Sequence, residues 1–325
     1  MIEWAKNSEG PVRHGRLVVP SGTNSSCYRS IYLPLVQFGD EKLPKIVLIS
    51  GVHGDEYEGP AILNRLVGTL DTGQLKYCVT VVPCANPLAF AGGTRHTPED
   101  SANLAGSFVR GTALGVTQLI GRRLEDFVFP GARIVIDLHA GGISFFYTAC
   151  AVMLKGAGPL PSSDIRNIAS SLGVSVGIEK SFGNAENFIA SAAFRSGASY
   201  LAMELGGGGC LNTSTARSVR ESLEQYLTTE PKEVGEPARP FRWLESASRD
   251  HYLFSEVDGL FEPNFSLGDR VERGGCAGWM HQPDARAGQV LPVEFAATGE
   301  VVGFRHFAYA RRGDCLVETA ETVRV

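Results

Sequence analysis

The chain lacks any excess of positive charge: its 325 residues carry 30 Lys and Arg against 35 Asp and Glu, a net charge of −5. Nothing in that balance calls for nucleic acid or an anionic membrane surface as a partner. There is no apolar run near the roughly 20 residues that a membrane helix needs. The opening stretch, MIEWAKNSEG, holds no apolar segment of signal-peptide length. There is no Cys-x-x-Cys pair, and the seven cysteines are scattered and odd in number. Reduced thiols are therefore expected rather than a disulfide framework, with Cys276 and Cys315 as small core residues. These absences place the expected location in the cytoplasm. The glycine run 206–209 is not followed by the Lys-Ser/Thr of a phosphate-binding loop, so it reads as a tight turn.

What the chain does have is 43% hydrophobic and 20% charged residues, a balance suited to a globular protein with a sizeable core. Its length suggests two domains. Apolar, β-branched runs at 45–52, 78–84, 132–138 and 198–205 predict strands. Helical spacing at 56–70, 112–128, 162–172 and 187–196 predicts helices between them. Strands alternating with helices imply an α/β sheet, mixed and mainly parallel, flanked by helices. A polar stretch at 229–240, TEPKEVGEPARP, reads as a linker. Beyond it, short strand-like runs separated by Gly-Asp turns predict a small all-β domain. Its stretches 257–282 and 296–319 look alike. The expected domains are 1–236 and 241–325.

Three segments carry the chemistry. Gly51-Val-His53-Gly-Asp-Glu56 leaves the first strand, Asp137-Leu-His139 ends the third, and Met203-Glu204-Leu-Gly-Gly ends the fourth. Ligands of open α/β sheets bind outside the carboxyl ends of strands, so these groups are offered to one crevice. Two imidazoles and a carboxylate, His53, His139 and Glu56, are what a catalytic zinc takes, with a fourth position left for water. Asp137 either orients His139 through its outer ring nitrogen or bonds a neighbouring turn. Glu204 interrupts an apolar strand, where a charge is costly unless paired or functional. It either acts as an acid–base group or pairs with a nearby arginine. His96, beside Arg95, is a weaker candidate for the site lining. His14, His251, His281 and His306 read as surface or structural residues.

The combination GVHGDEYEG, Asn-Pro followed by Thr-Arg, DLHAGG and MELGGGG, in this order, resembles the succinylglutamate desuccinylase/aspartoacylase family, relatives of the zinc carboxypeptidases. The resemblance extends over nearly the whole chain. It implies a zinc-carboxypeptidase-like α/β domain followed by a small, barrel-sandwich-like β domain. It implies one Zn2+ per chain held by His53, Glu56 and His139, with Glu204 as general base and Arg95 stabilising the oxyanion. The implied reaction is hydrolysis of the amide of a small N-acylated amino acid or amine, a small-molecule partner, with a homo-oligomer left open. One departure stands out. The family's Asn-Leu-Asn-Arg-x-Phe, whose Asn-Arg pair binds a substrate carboxylate, reads here Asn103-Leu104-Ala105-Gly106-Ser107-Phe108. Asn103 remains as a substrate-binding candidate; either Arg110 or Arg195 replaces the lost arginine, or the substrate lacks that carboxylate. Two other readings compete: a metallocarboxypeptidase acting on short peptides, and a non-catalytic relative that keeps the fold.

Overall fold

The structure is a computed structural model that describes residues 1–6, 10–112, 115–156, 158–181, 186–229, 240–282 and 290–323. The expected linker at 229–240 lies almost entirely outside the described residues.

Four strands form the centre of the sheet, side by side and all parallel: Cys78–Val82, Lys45–Ser50, Ala132–His139 and Ser199–Glu204. Each matches a predicted apolar run. Their residues alternate between two cores: Ile46 and Leu48 pack in one, Val47 and Ile49 in the other. Burial on both faces explains why these strands read as unbroken apolar runs rather than as alternating patterns. Helices Glu58–Thr69, Ser162–Ser170 and Thr213–Thr228 contribute to the first core, and Val116–Phe127 and Ile189–Arg195 to the second. The result is a sheet sandwiched between helices.

Antiparallel strands flank this centre and make the sheet mixed. The hairpin Val12–Pro20 and Ser30–Phe38 joins beside Cys78–Val82. Cys150–Lys155 runs antiparallel to Ser199–Glu204, with Val176–Ser181 parallel beyond it. Two helices escape the sequence reading. Pro87–Gly92 is short, and is started by the Asn86 side chain and by proline at its first turn. Thr213–Thr228 begins at the Asn212 cap and buries Val219, Leu223, Tyr226 and Leu227.

The sheet does not stop at the expected domain boundary. Arg242–Ser246 adds in parallel beside Val176–Ser181, followed by Cys315–Thr322 and Gly299–Arg305. A second, antiparallel sheet orders Val290–Glu294, Cys276–His281, Gly259–Pro263 and Tyr309–Ala310. Phe261, Met280, Phe295, Val301, Leu316 and Val317 form the core of this region. The two similar stretches each fold as a long, a two-residue and a long strand, and they exchange the short one. Arg270–Val271 of the first pairs with Gly299–Arg305 of the second, while Tyr309–Ala310 of the second pairs with Gly259–Pro263 of the first. Cys276 is exposed and Cys315 half-buried, so neither is the core residue expected.

Candidate metal and catalytic site

The chain leaves strand Lys45–Ser50 through the loop that carries His53 and Glu56, both buried. The loop lies flat against helix Pro87–Gly92. A Cβ at Gly54 would sit 2.0 Å from the Ala89 carbonyl, so only glycine fits there. The Gly54 amide bonds the Thr94 carbonyl at 2.9 Å, tying this loop to the segment that bears Arg95. That segment is clamped again where the Asn86 side-chain amide donates to the Thr97 hydroxyl at 2.9 Å. His139 is the last residue of its strand and Glu204 the last of the next. The ladder sets these two directly opposite each other.

The Glu56 carboxylate bridges the two imidazoles. His53 Nδ1 lies 2.6 Å from Oε1 and His139 Nδ1 2.8 Å from Oε2. One donor atom from each of the three residues falls within 4.8 Å of the others, and all three residues are buried. The outer ring nitrogens face acceptors. His139 Nε2 is 2.8 Å from Asp137 Oδ2, which also accepts from the Tyr200 hydroxyl at 2.9 Å. His53 Nε2 is 3.0 Å from Asn103 Oδ1, which also accepts from the Ala105 amide at 2.9 Å. Acceptors at both outer nitrogens take a ring N–H and turn both Nδ1 atoms to Glu56, where a cation that replaces the Nδ1 proton would find their lone pairs. Two neutral imidazoles and a carboxylate of this kind can hold a divalent metal.

The electrostatics follow from burial and neighbours. Burial raises the Glu56 carboxyl, but the charges and hydrogen bonds of His139 and His53 outweigh it and hold the group well below the ordinary carboxylate value. Burial lowers His139, yet Asp137 and Glu56 drive it well above the usual histidine range. Glu204 is pushed up to about 7, first by burial and then by the charge of Glu56. Its Oε2 is shielded from solvent and lacks a hydrogen-bond partner among the described residues. A carboxylate at this value can both take and return a proton near neutrality. Arg95 is half-exposed and reaches in, with Nη1 3.3 Å from Glu56 Oε1.

Two further carboxylates of the GVHGDEYEG run, not singled out in the sequence, fix the surrounding loops. Asp55 Oδ2 accepts from the Ile143 amide at 3.0 Å, just past His139. Glu58 Oε1 accepts from the amides of Gly207 and Asn212 at 3.3 and 3.2 Å, just past Glu204. Three acids within four positions of a buried loop were the signal available. The run 206–209 is the tight turn expected. At Gly207, where φ is +124°, a Cβ would meet the Phe145 carbonyl at 2.4 Å.

The remaining candidates separate. Asn103 stands at the site, turned to His53 rather than outward. Arg195, expected as a substrate-binding candidate, is engaged within the protein. It holds both oxygens of Glu125 at 2.7 and 2.8 Å and the carbonyls of Glu186 and Phe108 at 2.6 and 3.0 Å. Arg110 and His96 are exposed. His251 is buried against Thr319, and His281 lies 2.6 Å from Glu262 at the surface.

Comparison with known proteins returns one consistent fold. Residues 42–229 match the succinylglutamate desuccinylase/aspartoacylase catalytic domain. The chain is 28% identical over 327 residues to an N-alpha-acetyl-L-2,4-diaminobutyric acid deacetylase of Halomonas elongata, covering 96% of this chain and 92% of that protein. It superposes on the product-bound structure of the ectoine utilization protein EutE (DoeB) of Ruegeria pomeroyi with a TM-score of 0.88 at 25% identity, covering 99% of both chains. A succinylglutamate desuccinylase/aspartoacylase structure from Rhodobacter sphaeroides shares the fold, with a TM-score of 0.85 at 24% identity and 99% of both chains covered.

Proposed function

The chain belongs to the succinylglutamate desuccinylase/aspartoacylase family, and from that membership we propose that it is a zinc-dependent deacylase of a small N-acylated amino acid. The observation that carries this reading is the meeting of His53, Glu56 and His139 within 4.8 Å, with Glu204 on the adjoining strand end. We assign the parallel centre and its helices to the zinc-carboxypeptidase-like architecture. Zinc, when bound, polarises a carbonyl and lowers the pKa of a water molecule to about 7.

The chain's own residues supply the rest. The Glu204 carboxylate takes the proton of the attacking water and returns it to the leaving amine nitrogen. Burial suits it to that exchange by holding it near the working pH. Arg95 donates to the carbonyl oxygen as it becomes an oxyanion. Asp137 and Asn103 hold the two imidazoles in the tautomer and direction the metal needs. With Ala105 and Gly106 at the clamp positions and Arg195 bound to Glu125, Arg110 is the cation we assign to a substrate carboxylate.

The similarity to a diaminobutyrate deacetylase directs the choice of substrate toward N-acetylated amino acids with short side chains. The test is release of free amine by the zinc-loaded protein from Nα-acetyl-L-2,4-diaminobutyrate, other N-acetyl amino acids and dipeptides. The expected result is turnover of the acetylated compounds, with Glu204→Gln inactive but still metal-bound. Turnover of dipeptides alone would move the assignment to a carboxypeptidase, and turnover of none to a non-catalytic relative.

A further inference from the structure

Between the catalytic region and the C-terminal β region lies a buried charged cluster that the chemistry above does not use. Glu318, on the last strand, is 0% exposed. It pairs with Lys180 Nζ at 2.7 Å through Oε1 and accepts from the Tyr147 hydroxyl at 3.1 Å through Oε2. The Lys180 ammonium also lies 5.4 Å from the centre of the Tyr252 ring. Glu318 is fully buried while the Lys180 side chain is 22% exposed, and an ion pair that buries a carboxylate in this way is poor stabilisation for its desolvation cost. The charged pair therefore calls for a reason other than stability.

Tyr147 supplies one. Its backbone amide donates to the Gly206 carbonyl at 3.0 Å, two residues beyond Glu204. The next amide, of Thr148, donates to Val302 of the β region at 2.8 Å. Cys150, three residues on from Tyr147, is the ladder partner of Glu204 itself. The segment 145–150 is thus the wall beside Glu204, and its tyrosine is held from the other side by Glu318. The β region also makes room for that ring: a Cβ at Gly303 would sit 2.6 Å from Tyr147 Cδ1.

We propose that Glu318 is a positioning residue for the reaction: by accepting from Tyr147 it fixes residues 145–150 and Gly206 against Glu204, so the C-terminal β region completes the catalytic site. Only the kinetic half of the test rests on the deacylase reading.

Three variants of the full, zinc-loaded chain separate this hydrogen bond from the ion pair. Tyr147→Phe removes the hydroxyl and keeps the ring. Lys180→Met with Glu318→Gln removes both charges and keeps an acceptor for Tyr147. Lys180→Met with Glu318→Leu removes the charges and the acceptor. Small displacements in an active site can cost about 100-fold, so Tyr147→Phe and the leucine pair should lower kcat by about 10- to 100-fold with KM nearly unchanged. In both, amide hydrogen exchange over 145–150 and 204–208 should quicken about tenfold while the melting temperature stays near that of the parent. The glutamine pair should keep the parent's kcat and exchange. Equal kcat and exchange in the glutamine and leucine pairs, or a Tyr147→Phe enzyme identical to the parent, overturns the proposal. Should the leucine pair not fold, Tyr147→Phe decides. Should the parent hydrolyse no acylated amino acid, the deacylase reading fails by itself, and the exchange comparison still decides the role of Glu318.

Discussion

Half of the site is carried by strands and half by loops, and the two halves are held in place by different means. Asp137, His139 and Glu204 occupy the ends of two parallel strands. Their spacing is set by the register of the backbone ladder. His53, Glu56, Arg95 and Asn103 sit on loops, and side-chain hydrogen bonds do the work that the ladder does elsewhere. The Asn86 side chain holds Thr97 and the Asn103 side chain holds His53, while one backbone bond, from the Gly54 amide to the Thr94 carbonyl, ties the two loops together. The outer partners differ in the same sense. His139 faces a fully buried carboxylate, whereas His53 faces a neutral amide. The strand half is rigid by construction; the loop half depends on a few replaceable contacts.

Removal of the strand-borne carboxylate proposed as the base should have the largest effect. Glu204→Gln should cut kcat by about 1000-fold, as expected for loss of a general acid–base group, with metal content unchanged. A loss below tenfold would move the base elsewhere. On the loop side, Arg95→Ala should lower kcat by about 100-fold with little change in KM, which is the scale of one oxyanion donor. A rise in KM at constant kcat would make Arg95 a substrate-binding residue instead.

The outer partners test the comparison itself. Loss of such a residue typically costs about 10- to 100-fold in metal affinity. Asp137→Ala should fall at the upper end and Asn103→Ala at the lower, measured by competition with a chelator. The reverse order would put the firmer support on the loop side.

The pH profile is a finer probe. Glu204 must be ionised to accept a proton, and its raised pKa means that this form is lost as pH falls. A cation at Glu56 offsets the repulsion from that carboxylate but not the burial. The acid limb of kcat/KM should therefore lie between 4.5 and about 7. A limb above 7 would contradict the assignment. The smallest effect is expected at Arg195. Arg195→Ala should leave KM unchanged and cost about 2 kcal/mol of stability by stripping charged hydrogen bonds from Glu125 and the Phe108 carbonyl. A rise in KM would restore Arg195 to the substrate.

The strand half was also the legible half. Runs such as ARIVIDLH announce a strand buried on both faces, and a polar residue ending such a run draws notice. That made His139 and Glu204 readable, and the glycines around His53 and Glu56 did the same for the first motif. Contacts between distant loops leave no periodic trace. Asn103 meets His53 across 50 positions, so the sequence could offer it only as a substrate-binding candidate. Arg195 looked available because nothing local shows that Glu125 lies opposite. The exchange of short strands in the β region was hidden for the same reason. Its Gly-Asp turns mark where strands end but not which strands pair. Helix Thr213–Thr228 is a different case: its apolar spacing was present and went unread.

The central claim is that His53, Glu56 and His139 hold one cation between a loop and a strand end. Zinc titration of the metal-stripped protein, followed by calorimetry, tests it most directly. The account predicts one tight equivalent per chain, lost in His53→Ala and in His139→Ala while both variants stay folded. A full equivalent bound with parent affinity after both histidines are removed together would contradict it.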